Sequence, residues 1–95
     1  LLVNNAAIEV DARVGDGRRE DFERVLRTNL VAPWAMATAV VGPMRRQARA
    51  GRRPGAIVNV GSAVGLLGRA GRAAEAASKA GLVGLTRTLA LELSD

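Results

Sequence analysis

The chain lacks several side chains on which common kinds of protein site depend. Its 95 residues include no cysteine, no histidine and no tyrosine. Without cysteine it can form neither a disulfide nor a thiolate zinc site, and without histidine a transition-metal site loses its other usual ligand. We therefore expect no metal centre. A chain without disulfides also fits the cytosol most simply, so we expect a cytoplasmic protein.

Aromatic residues and long apolar runs are also scarce. Phe22 and Trp34 are the only aromatic residues, although the net charge is +5. A basic chain suggests nucleic-acid binding, but two aromatic side chains provide no platform for stacking bases, so we expect no nucleic-acid partner. The chain has no apolar run of about 18 residues and no signal-peptide pattern, so we expect no membrane association.

The residues that are present indicate part of a folded domain. Hydrophobic residues make up 48% of the chain, which excludes a disordered polypeptide. The sequence begins with Leu1-Leu2-Val3, inside an apolar stretch and without methionine. We expect residues 1–95 to be a single partial domain from a longer protein.

Two strands and two helices are expected to alternate. We predict strands at 1–3 and 56–60, and helices at about 20–49 and 74–93. A β-α-β-α order predicts parallel strands in an α/β fold, with both helices on one face of the sheet. The other face is then uncovered, and such a unit is not expected to be stable alone.

Each predicted helix has a recognisable pattern. The first has apolar residues at helical spacing: Phe22, Val25, Leu26, Leu30 and Trp34. In the second, an apolar stripe of leucines is expected to lie on the sheet. A second stripe consists of small residues: Ala77, Gly81, Gly84 and Thr88. Small residues allow close helix packing, either within one subunit or between two, and the sequence leaves both interpretations open.

Four motifs occur in a recognisable order. They are Leu2-Val3-Asn4-Asn5-Ala6, Thr28-Asn29-Leu30, Gly55-Ala56-Ile57-Val58-Asn59-Val60-Gly61-Ser62 and Ala77-Ser78-Lys79-Ala80-Gly81-Leu82. With these motifs the chain resembles the short-chain dehydrogenase/reductase family, and within it the 3-oxoacyl-acyl-carrier-protein reductases. The resemblance covers essentially the whole chain.

The resemblance implies a fold and a set of binding partners. The fold would be a partial Rossmann-type, doubly wound parallel sheet, of which this segment supplies strands four and five with their helices. The cofactor would be NAD or NADP, bound by Asn5, Ala6, Ala7 and Lys79. The substrate would be a small-molecule carbonyl or an acyl thioester, with acyl carrier protein as a further partner. A homo-oligomer through both helices is also implied.

The resemblance also assigns roles in proton transfer. Ser62 matches a serine that hydrogen-bonds the substrate oxygen, and Lys79, the only lysine, matches one that also holds the nicotinamide ribose. Asn29 matches an asparagine whose main-chain carbonyl holds a water in the proton relay. Pro33 supports this role because it has no N–H to occupy that carbonyl, although a proline that merely kinks the helix is the alternative.

Two positions depart from the family pattern. Ala7 stands where glycine usually follows Asn-Asn-Ala, and Glu75 stands where the proton-donating tyrosine is expected. Model compounds have a pKa of about 4.3 for glutamic acid and about 10 for tyrosine, so a glutamate side chain is a carboxylate at neutral pH. Such a group has no proton to give. We expect Glu75 to impair catalysis, and the alternative role considered for it is a salt bridge with Lys79, four residues away.

Two further features have alternative interpretations. Gly61, Gly65 and Gly68 follow a strand, but their spacing does not fit a phosphate-binding loop and no helix is expected to begin directly from them. A cluster of arginines ends the first helix: Arg45, Arg46, Arg49, Arg52 and Arg53. It is either a solvated helix end or, by the resemblance, a docking surface for an acidic carrier protein.

The resemblance implies an NAD(P)-dependent oxidoreductase that interconverts carbonyls and alcohols, 3-oxoacyl thioesters among them, and that is impaired by Glu75. Two other functions stay open from sequence. One is a non-catalytic subunit that pairs through its helices. The other is a truncated gene product without function.

Overall fold

The computed structural model describes residues 1–94 and has the predicted β-α-β-α order. Strand β1 spans Leu2–Asn4 and strand β2 spans Ile57–Asn59. The two strands are parallel, with Leu2 opposite Ile57 and Asn4 opposite Asn59. The parallel pairing predicted from sequence is therefore confirmed, and each strand end differs from the prediction by one residue.

The connection from β1 to β2 is helical over most of its length. Helix α1 spans Arg19–Leu26, a π-helical turn spans Arg27–Val31, and helix α2 spans Ala32–Arg49. The predicted helix at about 20–49 is therefore confirmed, but its regularity is interrupted. After β2, a four-residue helix α3 covers Val64–Leu67 and helix α4 covers Ala73–Glu92. The expectation that no helix begins directly from Gly61, Gly65 and Gly68 is wrong, because α3 begins at Val64, between the first two of these glycines.

The π-helical turn has a local cause in Pro33. Proline lacks the N–H that would bond the carbonyl of Asn29, four residues earlier. In the structure the N–H of Ala32 instead donates to the carbonyl of Arg27, five residues earlier. One extra residue in a turn shifts the helix by about 100° in angular phase. Trp34 is accordingly 56% exposed, although its spacing from Leu30 had placed it on the apolar face.

Both long helices cover the same face of the sheet. Asn59 Nδ2 donates to Thr86 Oγ1 on α4 at 2.9 Å. An open cleft of about 520 Å³ lies between α2, β2 and α4, and its lining includes Val41, Ile57 and Leu89. The opposite face of the sheet is uncovered, since Val3 is 51% and Val58 is 46% exposed. The predicted arrangement of the layers is confirmed.

Packing between α4 and the π-helical turn depends on a glycine. A Cβ atom at Gly81 would lie 2.8 Å from Leu30 Cδ2, whereas a Cβ atom at Gly84 would meet nothing within 4 Å. Gly81 therefore serves packing inside the chain. Gly84 and Thr88, from the same stripe of small residues, are exposed.

The uncovered sheet face leads to a prediction for the isolated 95-residue chain. Because Val3 and Val58 present apolar surface to water, we expect the chain to self-associate, and replacing both with threonine should reduce this association. Sedimentation velocity and light scattering would measure it. Val14→Thr is the matched control, because Val14 is 87% exposed outside the sheet and should have little effect. A cooperative thermal transition of a monomer of the natural sequence would contradict the prediction.

Candidate active site

The four residues predicted to be catalytic lie on three parts of the fold. Asn29 is on the π-helical turn, Ser62 follows β2, and Glu75 and Lys79 lie in the first two turns of α4. Within residues 1–94, no hydrogen bond or ion pair joins any two of these four side chains. Each of the four side chains instead has its own hydrogen-bond or ion-pair partner. These partners determine which donor and acceptor groups are left for a ligand.

The ammonium group of Lys79 is fixed at the end of the sheet. Its Nζ donates to the main-chain carbonyl of Val60 at 2.9 Å, and the residue is 6% exposed. The N–H of Val60 in turn donates to the carbonyl of Asn4 at 3.0 Å. Lys79 therefore lies at the carboxyl edge of both strands, beside the segment that begins with Asn5. Ligands of open α/β sheets bind at this edge.

The loop after β2 orients the hydroxyl group of Ser62. The Ser62 Oγ atom accepts the N–H of Val64 at 3.2 Å, and the Ser62 carbonyl accepts the N–H of Gly65 at 3.1 Å. Because the first contact uses an acceptor site of the hydroxyl, the O–H proton is left to donate elsewhere. That is the property required of a group that hydrogen-bonds a substrate carbonyl.

Gly65 brings this loop close to Lys79. A Cβ atom at Gly65 would lie 2.7 Å from the backbone nitrogen of Ala80 and 2.7 Å from Lys79 Cβ. Real Cβ atoms do not approach backbone atoms so closely, so only glycine allows α3 to lie against α4 at this point. The distance between the Ser62 loop and the lysine therefore depends on Gly65.

The side chain of Asn29 is part of a buried polar network. Its Oδ1 accepts the N–H of Ile8 at 2.9 Å, and its Nδ2 donates to the Ile8 carbonyl at 2.9 Å. The same Nδ2 contacts Ser78 Oγ at 3.2 Å, and Ser78 Oγ donates to the Glu75 carbonyl at 2.9 Å. The amide thus holds the chain after β1 and links it to α4. The water-binding role of the Asn29 main-chain carbonyl stays a prediction.

Glu75 does not form the salt bridge with Lys79 that the i, i+4 spacing suggested. Its Oε2 lies 3.2 Å from Arg72 Nη1 instead, with 14% of the side chain exposed. The suggestion is wrong because Arg72, three residues earlier, is a nearer cation and Lys79 is bonded to the main chain of β2. The carboxylate of Glu75 is therefore occupied at the start of α4.

Arg72 is a central residue that the sequence analysis did not identify. Its Nε donates to Asp11 Oδ1 at 2.7 Å, its Nη1 contacts Glu9 as well as Glu75, and 12% of its side chain is exposed. The hydrogen bond to Asp11 raises the pKa of Arg72 above its ordinary value, against the opposing effect of burial. Only the i, i+3 spacing of Arg72 and Glu75 is visible in the sequence. The contacts with Glu9 and Asp11 cross about 60 residues.

The predicted cofactor-binding segment is open to solvent. Asn5, Ala6 and Ala7 are exposed directly after β1, where two small side chains leave room for a bulky ligand. An ammonium group has three N–H donors, and the contact with Val60 uses one of those of Lys79. Exposed backbone, small side chains and free donors at the carboxyl edge of the sheet fit a dinucleotide with ribose hydroxyls.

Other kinds of site are less well supported by the geometry. Among residues 1–94, no group of three or more histidine, cysteine, aspartate or glutamate side chains is arranged to hold a metal ion. In the same part of the chain, no helix is both long and apolar enough to cross a membrane. The arginines that end α2 are exposed, and Arg45 Nη2 donates to the carbonyl of Glu92 at 3.4 Å.

Comparison with known proteins identifies the family. The model of the short chain dehydrogenase family matches residues 1–95. The chain therefore belongs to the short-chain dehydrogenases, and its two parallel strands with their helices are part of a Rossmann-type α/β fold.

Individual relatives are similar over nearly the whole chain. The chain is 43% identical over 94 residues to a 3-oxoacyl-acyl-carrier-protein reductase of Thermotoga maritima, covering 99% of this chain and 36% of that protein. It is 37% identical to an uncharacterized oxidoreductase of the same organism, and the match covers 100% of this chain and 36% of that protein. It also resembles the structure of 4-hydroxyisoleucine dehydrogenase complexed with NADH and succinate, with 35% sequence identity and a TM-score of 0.85. The match covers 98% of this chain and 38% of the dehydrogenase chain. The chain thus spans little more than a third of these proteins.

These relatives provide a way to test the site. The chain can be grafted into the Thermotoga maritima reductase in place of its 94 matched residues, and we call this protein the graft. In the graft, Gly65→Ala should lower the free energy of unfolding by about 1–3 kcal/mol, the usual cost of overpacking, and should move the Ser62 loop away from α4. Thermal and urea denaturation would measure the change.

Gly84→Ala is the matched control for this prediction. Gly84 is also helical, but a Cβ atom there meets nothing within 4 Å. The substitution should raise the free energy of unfolding by about 0.8–1.0 kcal/mol through helix propensity alone. Equal effects of the two substitutions would show that Gly65 does not set the approach of α3 to α4.

Proposed function

We propose that the chain is a segment of an NAD(P)-dependent short-chain oxidoreductase that interconverts a carbonyl and an alcohol, with a proton-transfer step impaired by Glu75. The observation that best supports the proposal is the position of Lys79. Its ammonium is bonded to the Val60 carbonyl at 2.9 Å, two residues before Ser62 and at the edge where Asn5 begins the open segment. This arrangement supports the binding part of the proposed carbonyl-reducing site.

The residues have separable tasks in this proposal. The nicotinamide dinucleotide, when bound, supplies or accepts the hydride. Asn5, Ala6 and Ala7 would line its site with exposed groups, and Lys79 would donate hydrogen bonds to the ribose hydroxyls. Ser62 donates its O–H to the substrate oxygen. These interactions bind and orient the reactants.

Proton transfer is the task without a suitable residue. In carbonyl reduction the oxygen must receive a proton as the hydride reaches carbon. Glu75, at the position for which the resemblance implies tyrosine, pairs its carboxylate with Arg72, and a carboxylate has no proton to donate. A carboxylate near the substrate would also repel the negative charge that develops on oxygen. Loss of general acid catalysis typically costs about 10²–10⁴-fold in rate.

Several features of the relatives guide the choice of substrate and partners. A 3-oxoacyl thioester is proposed because relatives in Thermotoga maritima and Vibrio cholerae are named 3-oxoacyl-acyl-carrier-protein reductases. Acyl carrier protein is the corresponding partner.

We also propose a homo-oligomer that forms through the long helices. Apolar side chains on these helices are exposed: Trp34 is 56%, Met36 is 47% and Leu91 is 79% exposed.

A non-catalytic subunit is the second candidate function. The contacts of Glu75 favour this function. Its carboxylate pairs with Arg72, and its main-chain carbonyl accepts a hydrogen bond from the buried hydroxyl of Ser78. A subunit of this kind would bind the dinucleotide and associate through its helices without turnover. Dinucleotide titration and sedimentation of the graft would distinguish it from an inert chain, which would do neither.

The enzymatic proposal is tested by restoring the missing acid. We expect the graft to reduce acetoacetyl thioesters about 10²–10⁴-fold more slowly than the natural reductase, and Glu75→Tyr to recover most of the loss in kcat. Glu75→Gln is the matched control, because it removes the charge without adding a phenol and should stay slow. Steady-state oxidation of NADH and NADPH would be followed.

Two results would oppose this proposal. If the graft with Glu75 turns over at rates that Ser62→Ala abolishes, the carboxylate does not impair catalysis. If Glu75→Tyr leaves kcat unchanged while dinucleotide binding is intact, a defect other than the missing phenol limits the reaction.

A further inference from the structure

Among residues 1–94, Arg72 is the most enclosed charged side chain outside the residues assigned above to proton transfer and cofactor binding. Two of its nitrogens contact Asp11, at 2.7 and 3.3 Å, and Nη1 contacts both Glu9 and Glu75. The main chain adds a parallel bridge between Ala12 and Arg72, in which the Ala12 N–H donates to the Gly71 carbonyl at 3.0 Å. The guanidinium therefore joins the segment after β1 to the start of α4.

Glu75 has two cations within reach along its own helix. Lys79 is four residues later, and a glutamate four residues before a lysine is the favourable order for an ion pair on a helix. Arg72 is three residues earlier. The structure places the carboxylate 3.2 Å from Arg72 Nη1, while Lys79 Nζ is bonded to Val60.

The choice between these cations matters for Lys79. A carboxylate is a stronger acceptor for an ammonium than a neutral carbonyl, because a hydrogen bond between two charged groups is stronger than one with a neutral partner. Without a competing cation, Glu75 would therefore draw the ammonium of Lys79 along the surface of α4. The contact with the Val60 carbonyl, which fixes the ammonium at the edge of the sheet, would be lost.

We propose that Arg72 is a positioning residue for Lys79. By holding the carboxylate of Glu75, Arg72 leaves the ammonium at the carboxyl edge of the sheet, where it is available to a dinucleotide. The segment then keeps cofactor binding although its proton donor is missing. This inference rests on the cofactor site of the proposed function and adds to it the residue that protects that site.

Dinucleotide affinity of the graft tests the proposal. Fluorescence titration with NADH and with NADPH should show roughly tenfold weaker binding for Arg72→Met, the size of losing one hydrogen bond to a charged group. Adding Glu75→Gln should restore the affinity, because the side chain that displaces Lys79 is then neutral. Arg72→Lys should bind normally, since it keeps a cation beside Glu75.

Asp11→Asn is the matched control. It weakens the anchoring of Arg72 but leaves the arginine beside Glu75, so affinity should stay close to that of the graft. If Arg72→Met weakens binding and Glu75→Gln does not restore it, Arg72 acts only on the structure and the proposal is wrong. Should Arg72→Met fail to fold, Arg72→Gln repeats the test with a neutral group that still hydrogen-bonds Glu9 and Asp11.

A second measurement observes Lys79 without any ligand. In graft labelled with ¹³C at the lysine ε-carbon, the Lys79 signal can be assigned with Lys79→Arg. Arg72→Met should shift this signal, and Glu75→Gln in the same background should return it. If the graft binds neither dinucleotide, the proposed cofactor site fails, and the Lys79 signal still decides the role of Arg72. An unshifted signal in Arg72→Met would overturn the inference.

Discussion

The buried amide of Asn29 is the interaction on which the arrangement of the site depends. It pairs with both the N–H and the carbonyl of Ile8, as a neighbouring strand would, and so holds the chain where β1 has ended. Through Ser78 it also reaches the first turns of α4, which include Glu75 and Lys79. Each unmade hydrogen bond of a buried amide costs about 1–3 kcal/mol, so the position of Asn29 is strongly determined. The two halves of the site are therefore held in register from inside the fold.

The ion cluster around Arg72 joins the same two segments from the outside. Arg72 connects α4 to Glu9 and Asp11, close to the segment held by Asn29. Exposed ion pairs usually contribute little to stability, but this guanidinium is largely enclosed and has three acidic partners. A glutamate at position 75 is compatible with this structure because a cation is already present. The carboxylate of Glu75, the residue for which the resemblance implies a proton-transfer position, is part of this ion cluster.

The alternation of strands and helices was predictable because it depends on local patterns. The β-branched run at 57–60 and the apolar spacing of Phe22, Val25 and Leu30 each predict one element from neighbouring residues. Trp34 was placed on the wrong face because the π-helical turn adds a residue to the helix, and its cause, Pro33, has several possible effects on a helix. The motifs around Ser62 and Lys79 predicted a candidate site, and the structure has both residues near the carboxyl end of β2. The partners of Arg72 were not predictable, since Asp11 lies 61 residues away and no sequence pattern relates the two positions.

The bond between Lys79 and Val60 has a consequence for how the site tolerates sequence change. The acceptor is a main-chain carbonyl, which every residue type possesses. Substitution of the Val60 side chain therefore leaves the acceptor itself in place, and the location of the ammonium is a property of the strand's path rather than of its residues. The residues along this strand can therefore change while the ammonium of Lys79 keeps the same acceptor. Under the proposed function, the residue at position 75 then affects the proton-transfer step, while the ammonium assigned to the ligand stays in place.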